Sequence, residues 1–239
     1  MIKRLRRWLA RAIIIDRATP DGNSMIGRIA RERTEENYRF AAGFVAGKAV
    51  LDIGGGTGIG HNLLLASGAA SILSIDRALK STLEGGDARV HSVQGDFLVH
   101  PLPDGHFDVI ICLGTLFYLA EADLALAKMH RLLKPGGMLV INCINQRLVR
   151  RYFQMPLEEI DRKFSAAFDE AGFRALLQKR FDAEPRICVQ QPVPVSSSLV
   201  DWLRFWVTPL TWPFRRHPVV PKPPGTEGMY LYAVVSKTG

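Results

Sequence analysis

The sequence predicts an α/β protein with a parallel sheet covered by helices on both faces, and three observations carry that prediction. Short apolar runs alternate with helix-length amphipathic stretches from about residue 48 to residue 144. The first run, Val50-Leu51-Asp52-Ile53, ends in an acid and turns into Gly54-Gly55-Gly56-Thr57-Gly58. A later helical stretch stops at Lys134-Pro135-Gly136-Gly137 and gives way at once to another apolar run. Length fits this class, because 239 residues suit one α/β domain with elaborations, and 47% hydrophobic residues can fill its core.

In chain order, residues 1–15 place Ile2, Leu5, Trp8, Leu9, Ala12 and Ile13 at helical spacing, with Lys3, Arg4, Arg7 and Arg11 mainly between them. That is an amphipathic helix with a cationic face. Pro20 and Gly22 mark a turn, and a second helix is expected over 24–45. Strands are expected at about 48–53, 71–75, 90–93, 107–113 and 138–144, with helices at about 58–67 and 121–133. Beyond Asn145 come a basic segment (Arg147, Arg150, Arg151) and a helix at about 157–171 ended by Gly172. A sixth strand is expected at 175–181 and a seventh at 228–237. The stretch 186–227 holds most of the prolines and three of the four tryptophans, Trp202, Trp206 and Trp212. It reads as an insert between the last two strands. The expected division is a helical extension over 1–45 and a catalytic-type domain over 46–239.

The glycine-rich turn carries the chemistry. Glycines at 54, 56 and 58 permit positive φ and let backbone approach a ligand with no Cβ in the way. Asp52 puts a carboxylate beside that ligand. A pyrophosphate would be repelled there, whereas a sulfonium and an ammonium would be attracted. Asp76 ends the second strand, 18 residues after Gly58, where a carboxylate with two acceptor oxygens can take both hydroxyls of a ribose.

The pattern Asp52-x-Gly54-x-Gly56-x-Gly58 resembles the first motif of the class I S-adenosylmethionine-dependent methyltransferases, of the small-molecule type. Ile72-Leu73-Ser74-Ile75-Asp76 is similar to that family's second strand and its acid, and Gln94-Gly95-Asp96-Phe97 to the end of its third. Phe107–Leu113 resembles the fourth strand, and Leu132–Ile141 the helix end, turn and fifth strand. The resemblance runs from about Tyr38 to Asn145. It implies a Rossmann-like three-layer sandwich on a mostly parallel seven-stranded sheet with an antiparallel last strand. It also implies S-adenosylmethionine as cofactor. The expected cofactor-binding residues are Asp52, Gly54, Gly56, Gly58, Asp76, Asp96, Phe97 and Leu113. Asp96 would accept from the adenine amino group, Phe97 would wall the ring, and Leu113 would approach through its backbone. Tyr38 is a weaker candidate from a covering helix.

The expected reaction is methyl transfer to a small-molecule acceptor, lipid-like or a glycan. Aligned in-line displacement asks little of the protein. His61, His106, Tyr118 and Glu121 fall near the expected site, but no spacing singles out a catalytic base. The chain lacks an Asn/Asp-Pro-Pro-Tyr/Phe motif after strand four and a Pro-Cys pair, which speaks against two styles of nucleic-acid base methylation. Two alternatives stay open: an RNA methyltransferase, and a non-catalytic, membrane-associated S-adenosylmethionine-binding protein. A short-chain dehydrogenase would share the Gly54-x-x-x-Gly58-Ile59-Gly60 spacing, but no tyrosine here has a lysine four residues on.

Charge bounds the partners. The net charge is +8, and residues 1–17 hold six basic groups against Asp16 alone. The remaining body is mildly basic and does not demand nucleic acid. Residues 1–15 and the tryptophan-rich insert are expected to meet an anionic membrane surface, or to fold over the site. The expected location is cytoplasmic, peripheral on the inner face of a membrane. Cys112, Cys143 and Cys188 read as reduced structural cysteines, the histidines have no metal-ligand spacing, and no metal is expected. Oligomeric state is not legible.

Overall fold

The computed structural model describes residues 25–78, 87–153, 158, 166–190, 193–194 and 218–238. The expected helix at 1–15 and most of the tryptophan-rich insert lie outside the described residues, as does most of the helix expected at 157–171.

Strands β1 (Ala49–Ile53), β2 (Ser71–Asp76), β3 (Val90–Gln94), β4 (Phe107–Cys112) and β5 (Leu133–Asn145) pair in parallel. Four of the five residues of β1 are buried, as a strand covered on both faces requires, and this explains its unbroken apolar run. With β7 (Arg186–Gln190), β9 (Val219–Pro221) and β11 (Tyr230–Ser236) added, strand order is β3-β2-β1-β4-β5-β11-β7-β9. The last strand, β11 (Tyr230–Ser236), runs antiparallel between β5 and β7 (Arg186–Gln190), pairing with β5 over seven residues, Tyr230 to Ser236. The mostly parallel sheet with an antiparallel last strand therefore stands. Two short strands enlarge it, β6 (Ala167–Phe168) on β5 and β9 (Val219–Pro221) on β7. A separate pair joins β8 (Val193–Pro194) to β10 (Thr226–Glu227).

Helices α1 (Met25–Ala42), α2 (His61–Ala66), α3 (Ala122–Leu132), α4 (Gln146–Phe153) and α5 (Glu170–Gln178) complete the described elements, with a 3₁₀ turn at Leu116–Tyr118. Two apolar clusters fill the sandwich. The larger spans β4, β5, β11 and α3, and the smaller puts Tyr38, Ala41 and Val45 against Val50, Leu64 and Ile72.

Two sequence expectations change. Residues 175–178, expected as strand six, lie in α5, and that strand is β7, at 186–190. Phe173, Leu176 and Leu177 are buried at helical spacing, and the Asp169 side chain accepts from the Gly172 N–H to cap the first turn. Gly172 therefore sits inside a helix start rather than ending a helix. The basic segment after Asn145 is itself helical: α4 buries Leu148 and Val149 and leaves Arg147, Arg150 and Arg151 exposed. The cysteines are free and buried, and burial pushes the Cys112 and Cys143 thiols up.

Candidate functional site

Strand order reverses at β1, which is flanked by β2 on one side and β4 on the other. A crevice must open beyond the carboxyl ends of these strands. A cavity of about 540 Å³ occupies it, roofed by α1 and lined by the turn after β1, the ends of β2 and β3, the loop after β4, and Asn142 and Tyr230. The size suits a small-molecule site.

The turn after β1 is held by backbone. Gly54, at φ +82°, donates its N–H to the Ile75 carbonyl at 2.8 Å, and a Cβ there would stand 2.0 Å from Thr115 Oγ1. Gly60 is excluded from carrying a side chain for another reason: the Tyr38 ring lies 2.2 Å from where its Cβ would be. Helix α1 thus seats directly on the loop. Gly58 donates to the Gly55 carbonyl at 2.9 Å and shapes the turn without lining the cavity.

Asp76 joins β2 to this turn. Its Oδ2 accepts from the Gly56 N–H at 2.9 Å and its Oδ1 from the Ala78 N–H at 2.7 Å. A carboxylate has about four acceptor sites, so both oxygens keep capacity for a diol. Gly54, Gly56, Asp76, Phe97 and Leu113 all line the cavity.

Asp52 and Asp96 do not line it. Asp52 is 1% exposed, behind the wall, where its Oδ2 accepts the Tyr38 hydroxyl at 2.8 Å and meets His61 Nε2 at 3.2 Å. Burial first, and the Asp52 charge second, push the Tyr38 phenol up, so it stays a neutral donor. Asp96 Oδ1 accepts from the Leu98 N–H at 2.9 Å, and Oδ2 pairs with Arg77, which itself lines the cavity. The Leu98 N–H and then Arg77 hold the Asp96 carboxyl below its ordinary range. The neighbouring Phe97 is pinned by Lys128, whose Nζ donates to the Phe97 and His100 carbonyls at 2.6 Å and to Leu98 at 3.3 Å.

Of the residues expected nearby, Tyr118 lines the cavity and His61 lies buried beneath it. His106 precedes β4 and therefore stands at the opposite end of the sheet, and Glu121 is exposed outside the cavity. The sequence reading missed Arg33, Asn37 and Tyr230. Arg33 Nη1 donates to the Tyr230 hydroxyl at 3.1 Å, and Asn37 Oδ1 accepts the Tyr232 hydroxyl at 2.8 Å. Arg33, Asn37 and Tyr38 fall at helical spacing on one face of α1, a signal the sequence does hold. The β11 partners of Arg33 and Asn37 lie almost 200 residues away and leave no local trace.

A methyltransferase-domain family profile matches residues 51–141. The ubiquinone/menaquinone biosynthesis C-methyltransferase UbiE of Cellvibrio japonicus is 35% identical over 149 residues, covering 57% of this chain and 54% of that protein. The corresponding protein of Vibrio campbellii is 38% identical over 107 residues, 40% of each chain. The chain thus matches about half the length, or less, of these relatives. Among solved structures, an S-adenosylmethionine-dependent methyltransferase of Thermotoga maritima superposes with a TM-score of 0.61 at 17% identity, covering 87% of this chain and 92% of that one. Phosphoethanolamine N-methyltransferase 2 of Haemonchus contortus gives 0.59 at 14% identity, covering 92% and 59%; at such identities these likenesses speak to fold. The glycine turn, strand-end acids, reversed strand order and matched family profile together support a class I S-adenosylmethionine-dependent methyltransferase domain at residues 51–141.

Proposed function

We propose that the chain transfers a methyl group from S-adenosylmethionine to an apolar, lipid-like small molecule. One observation carries this reading: a single cavity joins a polar end, built from the glycine turn and Asp76, to an aromatic end built from Phe117, Tyr118 and Tyr230. The polar end fits the donor. The Thr115 side chain leaves no room for a Cβ at Gly54, and Asp76 is fixed by two N–H groups with acceptor capacity to spare. Gly54, Gly56, Asp76, Gly95, Phe97 and Leu113 would hold the donor. Asp52 supports it from behind through Tyr38, Gly58 shapes the turn, and Asp96 with Arg77 borders the base end.

When bound, the donor supplies a methyl group already activated on a positively charged sulfur. The chain's task is to orient the partners and exclude water. Helix α1 roofs the cavity, and the apolar walls displace solvent. The names of the quinone-biosynthesis relatives support a lipid-like acceptor over a glycan. We also propose that residues 1–15 and the tryptophan-rich insert serve an anionic membrane surface, to which the exposed arginines of α4 add charge. Among the described residues no helix is long and apolar enough to cross a membrane.

Transfer of labelled methyl from S-adenosylmethionine into lipid and quinone extracts tests the activity. Label in an organic-soluble product supports it, and no label with any extract, while donor binding persists, refutes it. Flotation with anionic liposomes tests the surface, with protein remaining at the bottom of the gradient as the contrary result.

A further inference from the structure

The Phe97 wall of the cavity is carried by a turn that cannot complete its own hydrogen bonds. After β3 the chain runs Asp96-Phe97-Leu98-Val99-His100-Pro101-Leu102-Pro103. Residues 96–100 make one helical turn, in which the Val99 and His100 N–H groups donate to the Asp96 carbonyl at 3.2 and 2.8 Å. The Asp96 side chain caps its start, accepting the Leu98 N–H at 2.9 Å. In a continuing helix the Phe97 carbonyl would accept from residue 101 and the Leu98 carbonyl from residue 102. Pro101 has no N–H, and with Pro103 it stops the helix. The carbonyls at the end of the turn must find donors elsewhere.

Lys128 supplies them from α3. Its Nζ donates to the Phe97 and His100 carbonyls at 2.6 Å and to the Leu98 carbonyl at 3.3 Å. An ammonium carries three N–H donors, so the match is one for one. The same Nζ stands 5.0 Å from the centroid of the Phe97 ring, within cation–π range. Neighbouring charges are committed elsewhere. Asp96 takes the Leu98 N–H and Arg77, and Arg131, one turn along α3, donates to Asp104 at 2.6 Å.

The anchor is firm because its helix is. α3 buries Ala125, Leu126, Met129 and Leu132, which leaves Lys128 to reach outward from a fixed backbone. Phe97 is 3% exposed and lines the cavity, whereas Lys128 is not among the lining residues. The position of the wall is therefore set from 31 residues along the chain.

We propose that Lys128 is a positioning residue for the methyl donor. It fixes the Asp96–His100 turn and so holds the Phe97 wall against which the donor's base would lie. What the wall meets rests on the donor reading; the clamp on the turn does not.

The test is calorimetric titration of the folded full chain with S-adenosylhomocysteine and with 5′-methylthioadenosine, a probe that lacks the amino-acid end. Hydrogen exchange of the amides in residues 96–100 is followed in parallel. Lys128→Met should weaken both ligands by the same factor, about tenfold, because the loss sits at the base end. Lys128→Arg keeps the charge and the N–H donors and should recover affinity to within about threefold of wild type. Arg131→Met removes an equal charge from the same helix and should leave both affinities unchanged. Exchange in the turn should quicken about tenfold in Lys128→Met and return toward wild type in Lys128→Arg. A merely structural lysine would lower the thermal midpoint and leave the affinity of the folded chain as it was. Wild-type affinity in Lys128→Met, a loss that Lys128→Arg does not repair, or an equal loss in Arg131→Met overturns the inference. If the wild-type chain gives no heat with either ligand, the donor reading fails. The exchange arm then decides the clamp by itself, and unchanged exchange in Lys128→Met overturns it.

Discussion

The two halves of the cavity are built in opposite ways. The donor half comes mostly from one short span: Gly54, Gly56, Asp76, Gly95 and Phe97 lie within 44 residues, and Leu113 joins them from the end of β4. The acceptor half is gathered from α1, the loop after β4, β5 and β11, with Arg33 and Tyr230 separated by 197 positions. One half is fixed by backbone geometry, which tolerates few residue types. The other is fixed by side chains that meet only in the folded chain. The donor half should therefore be brittle toward substitution and the acceptor half adjustable.

The sharpest break of that contrast is Gly54→Val. Its Cβ would meet Thr115 Oγ1 at 2.0 Å from a backbone at φ +82°. We expect loss of donor binding by more than about 100-fold and a stability loss on the order of 2–3 kcal/mol, read by calorimetry and thermal unfolding. Tyr118→Phe in the other half should leave both nearly unchanged.

Asp76→Ala comes next. It removes the expected diol acceptor and leaves the Gly56 and Ala78 N–H groups without their carboxylate. Donor affinity should fall about 10- to 100-fold, read by calorimetric titration. An unchanged donor affinity would dissolve the division into halves.

Tyr38→Phe tests the seam between the halves. The ring still packs on Gly60, but of its two side-chain partners among the described residues the buried Asp52 keeps His61. We expect a stability loss of about 1 kcal/mol by denaturant titration. A change within error would mean the bond matters little to seating α1.

The smallest effect is a pH dependence at Asp96. Its folded pKa is depressed by the Leu98 N–H and by Arg77. The stability it contributes is full above the ordinary carboxylate value, about 3.9, and is lost as pH falls through the depressed folded value. Wild type and Asp96→Asn should therefore differ at neutral pH and converge at the acid end of an unfolding series. A gap that widens on acidification would contradict the sign.

The sequence discloses these regions unequally, and for physical reasons. The glycine turn is legible because positive φ and close approach restrict each position locally. The order of the five parallel strands is legible for a similar reason, since buried parallel strands are continuous apolar runs. Asp52 was legible as a strand-end acid, but its burial was not, because the Tyr38 hydroxyl that covers it comes from α1. Residues 175–178 were misread because Leu176 and Leu177 satisfy a short strand as well as a helix. What settles the matter is the Asp169 cap three residues before Gly172. Arg33 and Asn37 share a face of α1 with Tyr38, which the sequence does show, but their contacts with Tyr230 and Tyr232 are not legible, since nothing local marks a contact across the whole chain.

The claim on which the rest depends is that the glycine-turn end of the cavity binds the methyl donor. Calorimetric titration of the full chain with S-adenosylhomocysteine tests it most directly, with Asp76→Ala in parallel. The account predicts one site per chain in the wild type and affinity weakened about 10- to 100-fold in the variant. Absence of heat from a folded wild-type chain, or identical isotherms for the two proteins, would contradict it.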